Sequence, residues 1–201
     1  MKKYVFGVDL GGTTIKQGLF SESGELLEKW EIPTDKNDNG TRILPDIAKS
    51  ILSKMEEKGI AKSDVIGVGI DTPGPVSEEG IVNKAENLGW RGKIDVPGIL
   101  GSLLNVPIKS GNDANVATFG EMWKGGGEGY KSLVMVTLGT GVGGGIIINE
   151  KIVTGANGAG GEIGHIHVED NEEKPCNCGL FGCLEQYASA TGIVRLARKR
   201  L

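Results

Sequence analysis

Two stretches of the chain share one layout, and that layout limits the folds that the chain can adopt. Each is an apolar β-rich run, a glycine-rich turn and a second β-rich run, and they span residues 4–20 and 133–148. Glycine lets a turn adopt positive φ and lets backbone N–H groups approach a ligand closely. Threonine hydroxyls beside those groups add donors for phosphate oxygens. Two such turns facing each other across a cleft would hold a polyphosphate from both sides.

Length and charge narrow the classes of protein that the chain can represent. Its 201 residues are enough to bury a sizeable core. The net charge of −4 and the pI of about 5.3 argue against a general nucleic-acid surface or a polybasic membrane surface. No apolar run approaches the ~18 residues of a membrane span, and Asp9 interrupts any secretory signal core. We therefore expect a cytoplasmic protein that binds neither nucleic acid nor membrane.

The N-terminal part predicts an antiparallel meander of three strands, followed by alternating helices and strands. The expected strands are residues 4–9, 15–20, 26–32, 65–70 and 106–109, and the expected helices are 42–58, 94–104 and 114–123. Apolar residues recur at helical spacing in the first of these helices, and Gly59 ends it.

The second part of the chain repeats the pattern of the first. Glycines at 125–129 predict a flexible joint, so we place a boundary there, between domains at 1–124 and 125–201. Strands at 133–138, 144–149 and 151–153 then predict a second, related α/β lobe. A helix that begins near Gly192 has no stop signal before Leu201. We therefore expect a second lobe that is incomplete, as in a truncated protein, the alternative being a genuinely short one.

An incomplete second lobe would leave an apolar sheet face uncovered. The strand at 133–138 would then be exposed, and exposed apolar strands favour pairing with another chain. We therefore expect a homo-oligomer.

Asp9 comes directly before the first glycine-rich turn. That turn contains Gly11, Gly12, Thr13 and Thr14. An ordinary hairpin would use the same glycines, so the turn alone is a weak signal. An acidic residue at the end of an apolar strand could, however, hold a Mg²⁺-bound water near a phosphate. The second turn, at 139–145, strengthens this interpretation because the pair would make a two-sided site.

Asn112 and Asp113 stand between an expected strand and an expected helix. Both residue types are favoured as helix caps, which is the simpler interpretation of this segment taken alone. The functional interpretation makes Asp113 a general base. Its carboxylate would take the proton from a substrate hydroxyl as a phosphoryl group arrives.

One histidine and three cysteines in a short segment are the strongest signal in the chain. They are His165, Cys176, Cys178 and Cys183. A clustered, odd set of cysteines in a cytosolic chain indicates metal or redox chemistry rather than structural disulfides. The set matches a closed tetrahedral zinc site, the alternative being unliganded buried cysteines. His167 competes with His165 as the fourth ligand, since the spacing excludes neither.

Four protein ligands leave no open position for catalysis, so this zinc would be structural. Gly179 and Gly182 would allow the tight turns that bring the thiolates together. Glu162 and Glu185 flank the loop that the metal would fix. Carboxylates held rigidly in this way are suited to accept hydrogen bonds from several hydroxyls, as in sugar recognition.

With these motifs the chain resembles the ROK family of repressors, open reading frames and sugar kinases, and its bacterial glucokinases most of all. The matching segments are residues 9–14, 111–115, 138–145, 161–165 and 176–185. They occur in the family's order and span nearly the whole chain.

The resemblance implies the α/β fold of the actin/hexokinase-like ATPases, with two related lobes around a cleft. It also implies ATP- and Mg²⁺-dependent phosphorylation of a hexose, most of all glucose, on its 6-hydroxyl, with Asp113 as the catalytic base. His165 lies at both the zinc and the sugar in the family, so the resemblance favours it over His167. The implied sugar ligands are Gly74, Asn87, Asn112, Asp113, Glu162, His165 and Glu185. The implied contacts to phosphate and Mg²⁺ are Asp9, Gly11, Gly12, Thr13, Thr14, Thr140, Gly141, Gly143 and Gly144.

Two other functions compete with a kinase. Repressors of the family carry a helix-turn-helix domain ahead of the turn motif, and Asp9 lies too near the start to leave room for one. The other alternative is a sugar-binding module or regulator without kinase activity. It is suggested by the early end at Leu201, since family members continue into a segment that completes the nucleotide side of the cleft.

Overall fold

The computed structural model describes residues 3–156 and 158–201. Contacts divide the chain into two compact units, residues 1–113 and 114–201. The helix that starts at this boundary groups with the second unit because Ala114 and Thr118 lie against a strand of that unit. The domain boundary expected at residue 125 therefore differs from this division and stays a prediction. No helix within the described ranges is long and apolar enough to cross a membrane.

The first unit is built around a five-stranded sheet. The strands of the first unit are β1 (Tyr4–Leu10), β2 (Thr14–Ser21), β3 (Leu26–Pro33), β4 (Val65–Thr72), β5 (Ile81–Val82), β6 (Ile94–Asp95) and β7 (Ile108–Asn112). The sheet has the order β3-β2-β1-β4-β7, and β5 pairs separately with β6. The first three strands are antiparallel, which confirms the predicted meander, and β4 runs parallel to both β1 and β7.

The helices of this unit are α1 (Asn37–Gly40), α2 (Ile43–Lys58) and α3 (Val96–Leu104). The two longer ones, α2 and α3, bury apolar side chains in the same core as the sheet. The predicted apolar face of α2 is buried, and Gly59 ends the helix with a left-handed φ of 64°. The helix α3 begins later than expected, because Ile94 and Asp95 form β6 and the Asp95 carboxylate accepts a hydrogen bond from the Gly98 N–H at 2.8 Å.

The second unit contains a smaller sheet of three antiparallel strands. The helix α4 (Asp113–Lys124) belongs to this unit from Ala114 onward. The other elements of the unit are β8 (Leu133–Leu138), β9 (Val142–Ile148), β10 (Lys151–Ile152), α5 (Glu185–Ala188) and α6 (Ala190–Arg200). The sheet order is β10-β9-β8. The last helix begins earlier than predicted, since Ser189 is its N-cap and its hydroxyl accepts a hydrogen bond from the Gly192 N–H at 3.0 Å.

The edge strand β8 exposes apolar side chains. Val134, Val136 and Leu138 are 63%, 51% and 68% exposed. This exposure agrees with the expectation drawn from the sequence, whereas self-association through this strand stays a prediction.

A half-buried ion pair joins α6 to the loop that follows the last strand. Both guanidinium nitrogens of Arg195 contact the Glu172 carboxylate, at 2.8 and 3.1 Å, and the Tyr187 hydroxyl donates to it at 2.6 Å. These three hydrogen bonds, with that from Arg195 the largest influence, lower the pKa of Glu172 from 4.5 to about 2. The charged carboxylate therefore stabilises the fold of the second unit.

We expect Glu172→Gln to lower the melting temperature at pH 7, and we expect the difference from the unaltered protein to shrink at low pH. A carboxyl group with a lowered pKa stabilises the folded state fully above its unfolded pKa, near 4.5, and loses that effect as the pH falls toward about 2. Thermal unfolding between pH 7 and pH 3 measures this. Glu150→Gln is the control, because Glu150 pairs with Lys131 only at 3.9 Å on the surface. An equal effect at pH 7 and pH 3 would contradict the assignment.

Candidate active site and metal cluster

Two acidic residues stand side by side where the parallel strands of the first unit end. The register aligns Asp9 of β1 with Asp71 of β4, and Asp71 with Gly111 of β7. The next residues of β7 lead directly to Asp113, the first residue of α4. Ligands of α/β proteins bind at the carboxyl ends of parallel strands. The sequence-predicted residues Asp9 and Asp113 therefore both lie at the edge where a ligand is expected.

The Asp9 carboxylate is accessible at this edge. Lys16, its partner across the β1–β2 pair, approaches it at 3.0 Å, and both side chains are more than half exposed. The hydrogen bond and the charge of Asp9 raise the pKa of Lys16. The pair thus places one anionic and one cationic group beside the first glycine-rich turn.

Asp71 is a site residue that the sequence analysis missed. Its carboxylate accepts a hydrogen bond from the backbone N–H of Leu10 at 3.2 Å. Burial, followed by the negative charges of Asp9 and Asp113, raises the pKa of Asp71 to about 7. The available signal was the one that identified Asp9, an acidic residue that closes an apolar strand.

The turn between β1 and β2 is fixed by contacts with Thr34. Its hydroxyl donates to the Gly11 carbonyl at 2.7 Å, and its N–H donates to the Thr13 carbonyl at 3.0 Å. A Cβ on Gly11 would lie 2.7 Å from the Thr14 carbonyl oxygen, so only glycine fits there. Thr13 is exposed. The turn predicted to bind phosphate is therefore well defined in shape and open to solvent.

Three of the predicted sugar ligands lie in the same unit as this turn. Asn112 donates from its side-chain amide to the Gly74 carbonyl at 3.1 Å. Gly74 has a φ of 88°, and a Cβ there would lie 2.5 Å from the Lys84 carbonyl oxygen. Asn87 lies beside Gly12, since its carbonyl oxygen is 3.4 Å from the place of a Gly12 Cβ. The structure thus brings Asn87 to the first turn and couples Gly74 to Asn112.

Asp113 occupies the first turn of α4. An acidic residue there stabilises a helix through the helix dipole, so a structural role is compatible with a catalytic one. The negative charge of Asp113 is one of the causes that raise the pKa of Asp71. The predicted role as general base stays a prediction.

In the second unit, the start of α6 holds the turn between β8 and β9. The Thr191 hydroxyl donates to the Thr140 carbonyl at 2.6 Å, and the Ala190 N–H donates to the Gly139 carbonyl at 2.9 Å. Within the turn, the Gly139 N–H donates to the Gly141 carbonyl at 3.0 Å. Thr140 itself is exposed, as a phosphate contact would require.

Gly143 and Gly144 lie within β9 instead of in the turn. A Cβ on Gly143 would lie 2.6 Å from the Thr137 hydroxyl oxygen, and one on Gly144 would lie 2.6 Å from the Gly161 carbonyl oxygen. Close packing therefore explains both glycines in the described structure. Their predicted contact with phosphate stays a prediction.

Four side chains converge in the loop that precedes α5. The ligand atoms of His165, Cys176, Cys178 and Cys183 all lie within 4.8 Å of one another. The Cys176 sulfur is 3.6 Å from His165 Nδ1, and the Cys178 and Cys183 sulfurs are also 3.6 Å apart. Tetrahedral Zn–S bonds of about 2.3 Å would separate two sulfurs by about 3.8 Å. The cluster that the sequence predicted thus has the size of a tetrahedral metal site.

His167 lies outside this cluster. Its Nδ1 is 3.0 Å from the Phe181 carbonyl oxygen, and its Nε2 is 2.9 Å from the Asp170 carboxylate. The hydrogen bond to Asp170, followed by that to Phe181, raises the pKa of His167. The structure therefore groups His165, rather than His167, with the three cysteines, whereas the role of His165 as a metal ligand stays a prediction.

Two glycines shape the loop as predicted. Gly179 and Gly182 have φ values of 88° and 69°, in the left-handed region. A Cβ on Gly182 would collide with the Glu169 carbonyl oxygen. These turns return the chain on itself between the second and third cysteine.

The two carboxylates expected to bind sugar lie beside the cluster. Glu162 Oε2 is 3.9 Å from Nε2 of His165. Glu185 accepts a hydrogen bond from the Cys176 thiol at 2.9 Å. The other Glu185 carboxylate oxygen is 2.7 Å from the place of a Gly141 Cβ. Glu185 therefore lies between the metal cluster and the second glycine-rich turn.

The family model named ROK family matches residues 5–201. The chain belongs to the ROK family, which confirms the resemblance inferred from the motifs.

Known proteins of this family are similar over nearly the whole chain. The glucokinase of Halalkalibacterium halodurans is 47% identical over 196 residues, which are 97% of this chain and 59% of that protein. A ROK hexokinase structure from Thermus thermophilus has a TM-score of 0.83 and 33% identity, and the match covers 100% of this chain and 64% of that one. A ROK family glucokinase from Streptomyces griseus, solved with glucose and AMPPNP, has a TM-score of 0.79 and 37% identity, covering 98% and 61%. The fold is therefore that of the ROK hexokinases, and the chain spans about three fifths of the length of these relatives.

Relatives with other functions also match. An N-acetylgalactosamine kinase of Shewanella is 35% identical over 95% of this chain. A xylose repressor of Caldicellulosiruptor bescii is 32% identical over 97% of this chain and 49% of that protein.

We expect Gly141→Ala to weaken glucose binding by about 10- to 100-fold, the scale of effect of a misplaced binding group. The added methyl group would displace the Glu185 carboxylate, which lies 2.7 Å from its position. Calorimetric titration with glucose measures this. Gly139→Ala, in the same turn, is the control, because nothing lies within 4 Å of its Cβ position. Equal affinities of the two variants would contradict a binding role for Glu185.

Proposed function

We propose that the protein catalyses the ATP-dependent phosphorylation of a hexose, with glucose as the preferred substrate and glucose 6-phosphate as the product. The observation that carries this proposal is the place of Asp9 and Asp113 in the first unit. Both lie at the carboxyl ends of parallel strands, and Asp9 comes directly before a glycine turn that is open to solvent. Similarity to glucokinases over nearly the whole chain supports it.

In this reaction Asp113 would act as the general base. Its carboxylate takes the proton from the sugar 6-hydroxyl while the hydroxyl oxygen forms a bond to the γ-phosphorus of ATP. The bond from that phosphorus to the oxygen that bridges the β and γ phosphates breaks, and ADP leaves. Asn112 would bind the sugar beside the base.

The residues around the first turn fit a magnesium–phosphate complex. Asp9 offers an exposed carboxylate, the ligand type that Mg²⁺ prefers and that holds its bound waters. Bound Mg²⁺ supplies charge neutralisation on the phosphates. Backbone N–H groups of the Gly11–Thr14 turn, with the Thr13 hydroxyl, would donate to the phosphate oxygens. Thr140 and Gly141, in the second glycine-rich turn, are also proposed to contact phosphate.

We expect Asp113→Asn to lower kcat by ~10² to 10⁴, the usual scale for general-base catalysis, with little change in sugar affinity. Asparagine keeps the shape and the hydrogen-bonding capacity but cannot accept the proton. Coupled measurement of ADP release gives kcat. Asp64→Asn is the control, since Asp64 precedes β4 and lies at the opposite end of that strand from Asp71. Retention of most of the turnover would exclude Asp113 as the base.

We also propose that the cluster of His165 and three cysteines holds one structural zinc ion. Three sulfur atoms and one imidazole nitrogen are a common donor set for tetrahedral zinc, and the distances between them fit. The ion would fix the loop that carries Glu162 and Glu185, and so would support sugar binding by these two carboxylates.

Purified protein should contain one zinc ion per chain by elemental analysis. His165→Ala should lose it, whereas His167→Ala should keep it, because His167 is bonded to Asp170 and Phe181. Loss of the metal should weaken sugar binding by about 10- to 100-fold through the loosened loop. The reverse pattern, with zinc retained in His165→Ala and lost in His167→Ala, would reassign the ligand.

A sugar-binding regulator without kinase activity is the second candidate. The match to a xylose repressor supports it. Sugar binding without ADP release would favour the regulator, and ADP release with sugar favours the kinase. A panel of glucose, mannose, fructose and N-acetylated hexoses would establish the preferred substrate.

A further inference from the structure

The pairing of β1 with β4 ends at a side chain. The last pair of the parallel ladder is Asp9 with Asp71, and the next N–H of β1 belongs to Leu10. This N–H donates to Oδ1 of the Asp71 side chain, at 3.2 Å. The Asp71 carboxylate oxygen thus accepts a hydrogen bond that a backbone carbonyl of β4 would accept if the ladder continued.

Leu10 is the last residue of β1 before the first glycine-rich turn. Its side chain is buried in the core, and the carbonyl of the next residue, Gly11, accepts the hydrogen bond from Thr34. Two backbone groups at the entry to the turn are therefore held by different parts of the unit, one by Asp71 of β4 and the other by Thr34, which follows β3. The direction in which the chain enters the turn depends on both bonds.

An acidic side chain at this position lowers the stability of the folded state. Asp71 is half-buried and stands level with Asp9 in the register, and the negative charges of Asp9 and Asp113 disfavour its own charge. Residues that cost stability in this way concentrate at functional sites.

We propose that Asp71 is a positioning residue that holds the Leu10 N–H and thereby fixes the Asp9 carboxylate and the Gly11–Thr14 turn for the phosphates of ATP. The role in ATP binding rests on the proposed function, whereas the hydrogen bond to Leu10 does not.

Two substitutions separate this role from general stability. Asp71→Asn keeps an acceptor oxygen for the Leu10 N–H, and Asp71→Ala removes it. If Asp71→Ala does not fold, Asp71→Leu keeps the shape without the acceptor. Asp64→Ala is the control, since it removes a carboxylate at the other end of β4.

The first measurement is amide hydrogen exchange at Leu10 by nuclear magnetic resonance. We expect about 3- to 10-fold faster exchange in Asp71→Ala, the scale for loss of one hydrogen bond, and near-normal exchange in Asp71→Asn. Unchanged exchange in Asp71→Ala would overturn the proposal.

The second measurement is the KM for MgATP with glucose saturating, compared with the KM for glucose. We expect Asp71→Ala to raise the KM for MgATP by about 3- to 10-fold while the KM for glucose stays unchanged, and Asp71→Asn to restore it. An equal rise in both constants, or no rescue by Asp71→Asn, would show a merely structural role and overturn the proposal.

If the proposed kinase function is wrong, the measurements give a different result. In that case the unaltered protein shows no turnover, and calorimetric titration with magnesium tripolyphosphate replaces the kinetic measurement. Weaker binding in Asp71→Ala than in Asp71→Asn then supports the positioning role. Equal binding in the two variants, or no binding in the unaltered protein, overturns it.

Discussion

The register between β1 and β4 is the constraint on which the chemistry of the first unit depends. Phe6 pairs with Val68 and Val8 with Ile70, and all four side chains are buried in one core. A slip by one residue would turn these side chains to the opposite face, so packing fixes the register. The same register sets Asp9 level with Asp71. The core therefore determines which acidic groups meet at the edge of the sheet.

In the second unit, one short segment connects the metal cluster to the glycine-rich turn. It begins with Cys183, continues through Glu185, and ends where α6 starts at Ala190. The Glu185 side chain contacts Cys176, and the Glu185 carbonyl accepts a hydrogen bond from Ser189, the cap of α6. The first residues of α6 then hold the turn. A metal in the cluster would thus order the turn as well as the carboxylate, because both depend on the same backbone.

Local patterns explain what the sequence predicted well. The spacing of apolar residues and the positions of glycines identified the meander and α2. The close spacing of three cysteines identified the cluster that they form with His165. Long-range contacts explain the omissions. Asp71 acts on Leu10, 61 positions away in the chain. The choice of His165 over His167 depends on Asp170 and on the Phe181 carbonyl, whose positions spacing does not specify. Strand β6 was missed because its two residues read as part of the apolar helix that follows.

The glycines of the two matching stretches have two different structural roles, although the two stretches look alike in the sequence. Gly11 lies in its turn and leaves room for the Thr14 carbonyl, so it shapes the candidate phosphate turn, whereas Gly141 leaves room for the Glu185 carboxylate, a candidate sugar ligand. Gly145 lies inside β9, where a Cβ would collide with the Thr118 hydroxyl of α4. That glycine lets a helix approach a strand closely. A run rich in glycine is therefore weak evidence for a phosphate site by itself, and the exposed threonines in the turns are the better indicator.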